Sequence, residues 1–206
     1  VAVMQAKQGP VINLYNAAKV NALTAKGRNV ALSIDTRFPL NNQVTITVNP
    51  VKDEKFDIKL RIPGWSQNTR LKVNGEDMGT VEAGKYFTLT RKWAKGDKIE
   101  LTLDMRCKLI DAPHGSNPAG WNYQAVIYGP IVLARDENID ADYNKPVQVK
   151  ADANGEVQLT AVEPTRVGTR MEFIVPTTSG NIRMVDYSSV DGWKGKNVCT
   201  WLPKVQ

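Results

Sequence analysis

From Phe56 to Ile62 every even-numbered residue is apolar and every odd-numbered one is charged: Phe56-Asp57-Ile58-Lys59-Leu60-Arg61-Ile62. Successive side chains of a strand point to opposite faces, so this row reads as a strand with one dry face and one wet one. Gln43 to Val48 repeats the alternation with β-branched residues, and so do Val30 to Ile34 and Lys98 to Leu103. Further strands are expected at Val11 to Tyr15, Arg70 to Val73 and Tyr86 to Thr90. Turn chemistry separates the runs. Asn41-Asn42 lies between two of them, Pro63-Gly64 ends one, and Lys95-Gly96-Asp97 breaks the chain before another. Asn74-Gly75 supplies two residues that tolerate positive φ, as a tight turn requires. Strand and turn recur about every 10–15 residues, the spacing of an antiparallel sandwich. A helical period is sustained only over Val1 to Lys7 and Asn16 to Ala25.

After Leu109 the texture changes. Asp111 to Gly120 is rich in Pro, Gly and Asn and has no apolar rhythm, so it reads as a linker or long loop. Ala125 to Ala134 is then apolar on both faces, which suits a covered central strand. Gly129-Pro130 inside it implies a bulge or bend, because proline cannot donate to a ladder. Later strands are expected at Val147 to Val149, Val157 to Ala161, Met171 to Val175, Ile182 to Val185 and Val198 to Trp201, with Asn154-Gly155 as a hairpin turn. The sequence thus predicts an all-β chain of two mainly antiparallel β-sandwich domains of jelly-roll or Ig-like type. They are residues 1–112 and 113–206, with the break near 108–122.

The 206 residues are 42% hydrophobic and 23% charged, an ordinary globular mix. The formal net charge is +6, which raises a nucleic-acid reading. Acids interleave the bases, however, as in Lys52-Asp53-Glu54-Lys55 and Arg135-Asp136-Glu137. No concentrated basic stripe of the kind that tracks phosphates occurs, so neither nucleic acid nor a membrane is expected as a partner. No run of 18 apolar residues exists to form a spanning helix. The start, Val1 to Lys7, has neither an initiator Met nor a signal-peptide core, and reads as a cut inside a longer protein.

Residues that could carry chemistry are sparse. His114 is the single histidine and sits in the turn-rich connection without local partners. No G-x-S-x-G, H-E-x-x-H or Walker-type loop is present. Asp104, Asp111, Asp136 and Glu137 could be paired on paper for glycoside hydrolysis, but only spatial separation is diagnostic. Cys107 and Cys199 lack a second ligand at metal-site spacing and read as small buried hydrophobes. Whether they form a disulfide depends on a Cα separation that sequence does not give. Trp93 continues the phase of Phe87 and Leu89 and belongs to the core, as does Trp201 in its strand. Trp65 closes a strand at a Pro-Gly bend, and Trp121 and Trp193 lie in Gly-rich loops. Those three are the candidates for contact with a sugar or with a neighbouring domain. No catalytic, metal or cofactor residue is expected.

Leu60-Arg61-Ile62-Pro63-Gly64-Trp65, followed by Leu71-Lys72-Val73-Asn74-Gly75-Glu76 and by Tyr86 to Asp97, resembles the C-terminal region of glycoside hydrolase family 127, the β-L-arabinofuranosidase-like family. Upstream, Val11-Ile12-Asn13-Leu14-Tyr15 resembles the strand that leaves the family's catalytic barrel. Thr36-Arg37-Phe38-Pro39 is similar to its Thr-x-Tyr-Pro element, with Phe for Tyr. Ile127-Tyr128-Gly129-Pro130-Ile131-Val132-Leu133 is similar to its Arg-Gly-Pro-Leu-Val strand, with Tyr128 where Arg is usual. The likeness runs from about residue 11 to 135 and is looser beyond, where Val185-Asp186-Tyr187-Ser188-Ser189 is its best echo.

The resemblance implies an (α/α) barrel ahead of two β-sandwiches, with residues 1–10 as the barrel's tail. It also implies that the chemistry, a zinc-bound cysteine thiolate with glutamate and further cysteine ligands, belongs to that barrel. The family's cysteine motif precedes the Asn13-Leu14-Tyr15 strand, so no catalytic or zinc residue carries over. The parent is then a hydrolase of plant or other complex glycans, at home in the periplasm or outside the cell, although the chain holds no address of its own. The expected role is a scaffold for the barrel, with a second subunit as a further candidate partner. The alternative is a carbohydrate-binding module using exposed tryptophans. Leu14, Tyr15 and Trp65, in or near the segments closest to the barrel, are expected to form an exposed apolar patch.

Overall fold

The computed structural model describes residues 2–113, 122–190 and 196–205. The chain divides into two compact units, Val1–Asp104 and Met105–Gln206. This division falls ahead of the break expected near 112, because the strand at Cys107–Asp111 pairs along its length with Tyr123–Tyr128 of the second unit.

The strands of the first unit are β1 (Val3–Ala6), β2 (Gly9–Ile12), β3 (Ala18–Leu23), β4 (Asn29–Thr36), β5 (Gln43–Pro50), β6 (Glu54–Arg61), β7 (Arg70–Val73), β8 (Glu76–Asp77), β9 (Tyr86–Trp93) and β10 (Asp97–Thr102). They form a four-stranded sheet, β1-β2-β6-β9, and a six-stranded sheet, β3-β4-β5-β10-β7-β8. All pairings are antiparallel except the short parallel one of β2 with β6. One core joins the two sheets: Ile12, Phe56, Ile58, Leu60, Leu89 and Trp93 from the first meet Leu32, Ile46, Val48, Leu71, Ile99 and Leu101 from the second.

The alternating row lies where its pattern requires. Phe56, Ile58, Leu60 and Ile62 are at most 2% exposed, while Arg61 on the opposite face reaches solvent. Truncating Leu60 to Ala leaves a cavity between two sheets that cannot collapse, and is expected to cost about 2–5 kcal/mol by urea unfolding. A loss below about 0.5 kcal/mol would contradict this packing.

Two segments with a helical period are strands. Val3–Ala6 pairs with Gly9–Ile12, and Ala18–Leu23 pairs with Asn29–Thr36 over its whole length. Local apolar spacing is a weak signal beside a hairpin partner that pairs the backbone along one side of the strand. The segment expected as the tail of a helical barrel therefore supplies an edge hairpin to the first sandwich. The Asn74-Gly75 turn between β7 and β8 has φ of +53° and +82°, as a tight primed turn demands.

The second unit contains β11 (Cys107–Asp111), β12 (Tyr123–Tyr128), β13 (Ile131–Asp136), β14 (Thr160–Val162), β15 (Glu172–Thr177), β16 (Gly180–Asp186), β17 (Val198–Cys199) and β18 (Leu202–Pro203). They make one connected sheet, β11-β12-β13-β16-β15-β14, with β17 on β13 and β18 on β12. The sandwich here arises because that sheet folds over on itself. Tyr128 of β12 meets Phe173 of the non-adjacent β15 at 5.0 Å between ring centroids, around a core of Cys107, Val126, Leu133, Val175 and Met184.

Gly129-Pro130 does not bulge one long strand. It is the two-residue turn of a hairpin, with Tyr128 opposite Ile131. Gly129 has φ of +54°, and proline fixes its own φ near −65°, the combination that a II′ turn needs. Beyond their first pairs β12 and β13 splay apart. The segment 198–203 fills the gap, pairing Cys199 with Arg135 on one side and Leu202 with Gln124 on the other. Val147 to Val149 forms no strand and contributes a single bridge, Val149 to Thr177. Among the described residues no α-helix forms.

Candidate functional site

At one end of the first unit β6 runs out at Arg61 and the chain bends through Pro63-Gly64. Tyr15 passes its phenol beneath this bend and donates to the Arg61 carbonyl at 2.6 Å. It is 5% exposed, so Tyr15 is a core residue and not part of an exposed patch. Burial pushes its phenol pKa well up, outweighing the opposite pull of the Arg61 charge. Its neighbour Leu14, beyond the end of β2 where the strand alternation is broken, is 46% exposed. Tyr86 donates to the Asn13 carboxamide oxygen at the same end. Trp65 is partly buried against the first core, its ring parallel to that of Phe38 with centroids 6.0 Å apart. Trp121, Trp193 and His114 lie outside the described residues.

The second unit carries an apolar groove of about 600 Å³ on the outer face of β11, β12 and β13. Ile110, Ile127, Val132, Tyr187 and Trp201 line it, with Asp111 and Thr200 among its few polar groups. Trp201 is 42% exposed, so the core position expected for it is wrong. It sits in the connection between β17 and β18, where the chain leaves β13 for β12 and the strand phase is lost.

The ionisable groups within the second unit hold loops. Glu172 is 1% exposed and accepts from the Thr165 N–H, the Thr165 hydroxyl and Arg183. Burial raises its pKa, but these hydrogen bonds and the guanidinium outweigh that and keep it below the usual carboxylate range. Asp186 accepts from the Met171 N–H and the Ser188 and Ser189 hydroxyls. Arg135, 2% exposed, binds Asp140 and the Lys145 carbonyl, which fixes the turn-rich segment after β13. Sequence reasoning passed over Glu172 and Asp186. The signal at Glu172 was a charge directly beside the apolar run Phe173-Ile174-Val175, which survives burial only when it is paired.

The carboxylates that could be paired on paper are engaged elsewhere. Asp136 accepts from the Asn138 backbone and side chain, Glu137 accepts from Asn197, and Asp111 pairs with Lys204. Asp104 receives the Asn68 N–H. Cys107 lies in the second core, where burial pushes its thiol up to about 12. Cys199 is half-buried, donates to the Trp201 carbonyl and is likewise raised by burial. Both cysteines are free thiols, and neither is poised as a thiolate. Among the described residues no three His, Cys, Asp or Glu side chains converge as a metal would require. The described residues therefore do not fit the zinc centre that the family resemblance implies for the barrel.

Fold and surfaces together define an all-β, sandwich-built region whose buried charges clamp its own loops. Residues 10–105, nearly the whole first unit, match the family model described as beta-L-arabinofuranosidase, GH127 middle domain. That segment, just under half of the chain, resembles a GH127 middle domain. Solved structures share the fold over both units. Ara127N-Se, a GH127 beta-L-arabinofuranosidase from Geobacillus stearothermophilus T6, matches with a TM-score of 0.80 at 20% identity, over 99% of this chain and 35% of that one. A structure described as a glycoside hydrolase matches at 0.80 and 25% identity, over 100% of this chain and 37% of its own. The GH127 beta-arabinofuranosidase BT3674 matches at 0.76 and 20% identity, over 95% and 35% respectively. The chain thus spans little more than a third of the length of these proteins. No curated protein sequence matches it.

Proposed function

We propose that this chain is the non-catalytic β region of a GH127 glycoside hydrolase and supports an (α/α) barrel that carries the chemistry. The observation behind this reading is the match of residues 10–105 to the domain described as the middle one of that family. It is supported by the use made of the ionisable groups. Asp136, Glu137, Glu172 and Asp186 each accept hydrogen bonds from loops of their own unit, so their lone pairs are committed to structure. Under this reading the barrel is the first partner and a second subunit the next candidate. A thiolate–zinc centre belongs to the barrel, and the glycan is the parent's substrate. Leu14 and Tyr86, exposed beside the bend that holds Trp65, are the side chains offered to the barrel.

Calorimetric titration of the chain with arabinan and related plant glycans separates this role from that of a carbohydrate-binding module. The scaffold predicts no heat beyond dilution with any of them. Saturable heat lost on replacing Trp65 by Ala would support the binding module instead, since stacked rings bind sugars through aromatic faces.

A further inference from the structure

We draw no further inference here: the strongest candidate, the apolar groove on the outer face of β11–β13 lined by Ile110, Ile127, Val132, Tyr187 and Trp201, is an unpartnered face, and nothing in the structure shows what covers it.

Discussion

Replacing Gly9 with Ala is expected to detach the β1–β2 hairpin from the first sandwich and to cost about 3–5 kcal/mol. Gly9 has φ of +143°, a region that side chains with a Cβ rarely enter. A Cβ placed there would lie 2.0 Å from the Asp57 carbonyl oxygen and 3.3 Å from the Phe56 ring. The first contact is with backbone in the middle of β6 and cannot be relieved by a rotamer change. The strands would have to part, breaking the Asp57 N–H bond to the Gln8 carbonyl and the parallel pairing of Ile12 with Leu60. Ile12 is fully buried, so its exposure adds a hydrophobic loss to that of the ladder. Urea unfolding of the Gly9→Ala chain measures the effect. A change below about 1 kcal/mol would mean that the hairpin does not approach β6 as described.

Replacing Glu172 with Ala is expected to cost the second unit about 2–4 kcal/mol near neutral pH. The change strips the Thr165 N–H and hydroxyl of their acceptor and leaves Arg183 without its partner. Arg183 is 41% exposed, so water softens its share, and most of the loss comes from the orphaned donors. The same carboxylate gives the unit a pH dependence. Its folded pKa lies below the ordinary glutamate value because its burial is outweighed by the Thr165 hydrogen bonds and by Arg183. Its contribution is therefore complete above that value and drains away as pH falls through the folded one. Amide exchange at β15 and β16 between pH 7 and pH 3 should show protection falling in the native chain, and falling less steeply in Glu172→Gln. Parallel declines in the two chains would remove Glu172 from that role.

What could be read from the residues divides by the range of the forces involved. The row Phe56, Ile58, Leu60 and Ile62 was legible because a half-buried strand writes its faces directly into the sequence. Asn74-Gly75 was legible because few residue pairs accept two positive φ angles. Gly129-Pro130 was misread because its flanks, Ala125 to Tyr128 and Ile131 to Ala134, are both apolar. Two hairpin strands in a covered sheet then look like one long strand. Val3–Ala6 and Ala18–Leu23 are strands because the next strand along the chain folds back to pair with each of them. The apparent helical spacing of their segments says nothing about those partners. The same holds for single residues. Trp65 and Leu14 stand at the end of the sandwich where their motif placed them, whereas Tyr15 turned inward to reach the Arg61 carbonyl. Trp201 lost its strand phase where the chain crosses from β13 to β12. The GH127 likeness was legible from ordered motifs between about residue 11 and 135, and the family model matches residues 10–105. The clamp around Glu172 was not, since Thr165 and Arg183 reach it from opposite sides in sequence only once the chain has folded back.

The central claim is that the chemistry lies outside this chain. Cleaving a glycosidic bond takes a positioned proton donor together with a nucleophile or base. Here Glu172 and Glu137 are held below the usual carboxylate range and make poor acids at neutral pH. The thiols of Cys107 and Cys199 are raised away from reactivity. The most direct test is turnover of a nitrophenyl β-L-arabinofuranoside by the 206-residue chain beside a longer protein that includes the barrel. The account predicts release of nitrophenol by the longer protein and none above background by this chain. Equal turnover by the two would contradict it.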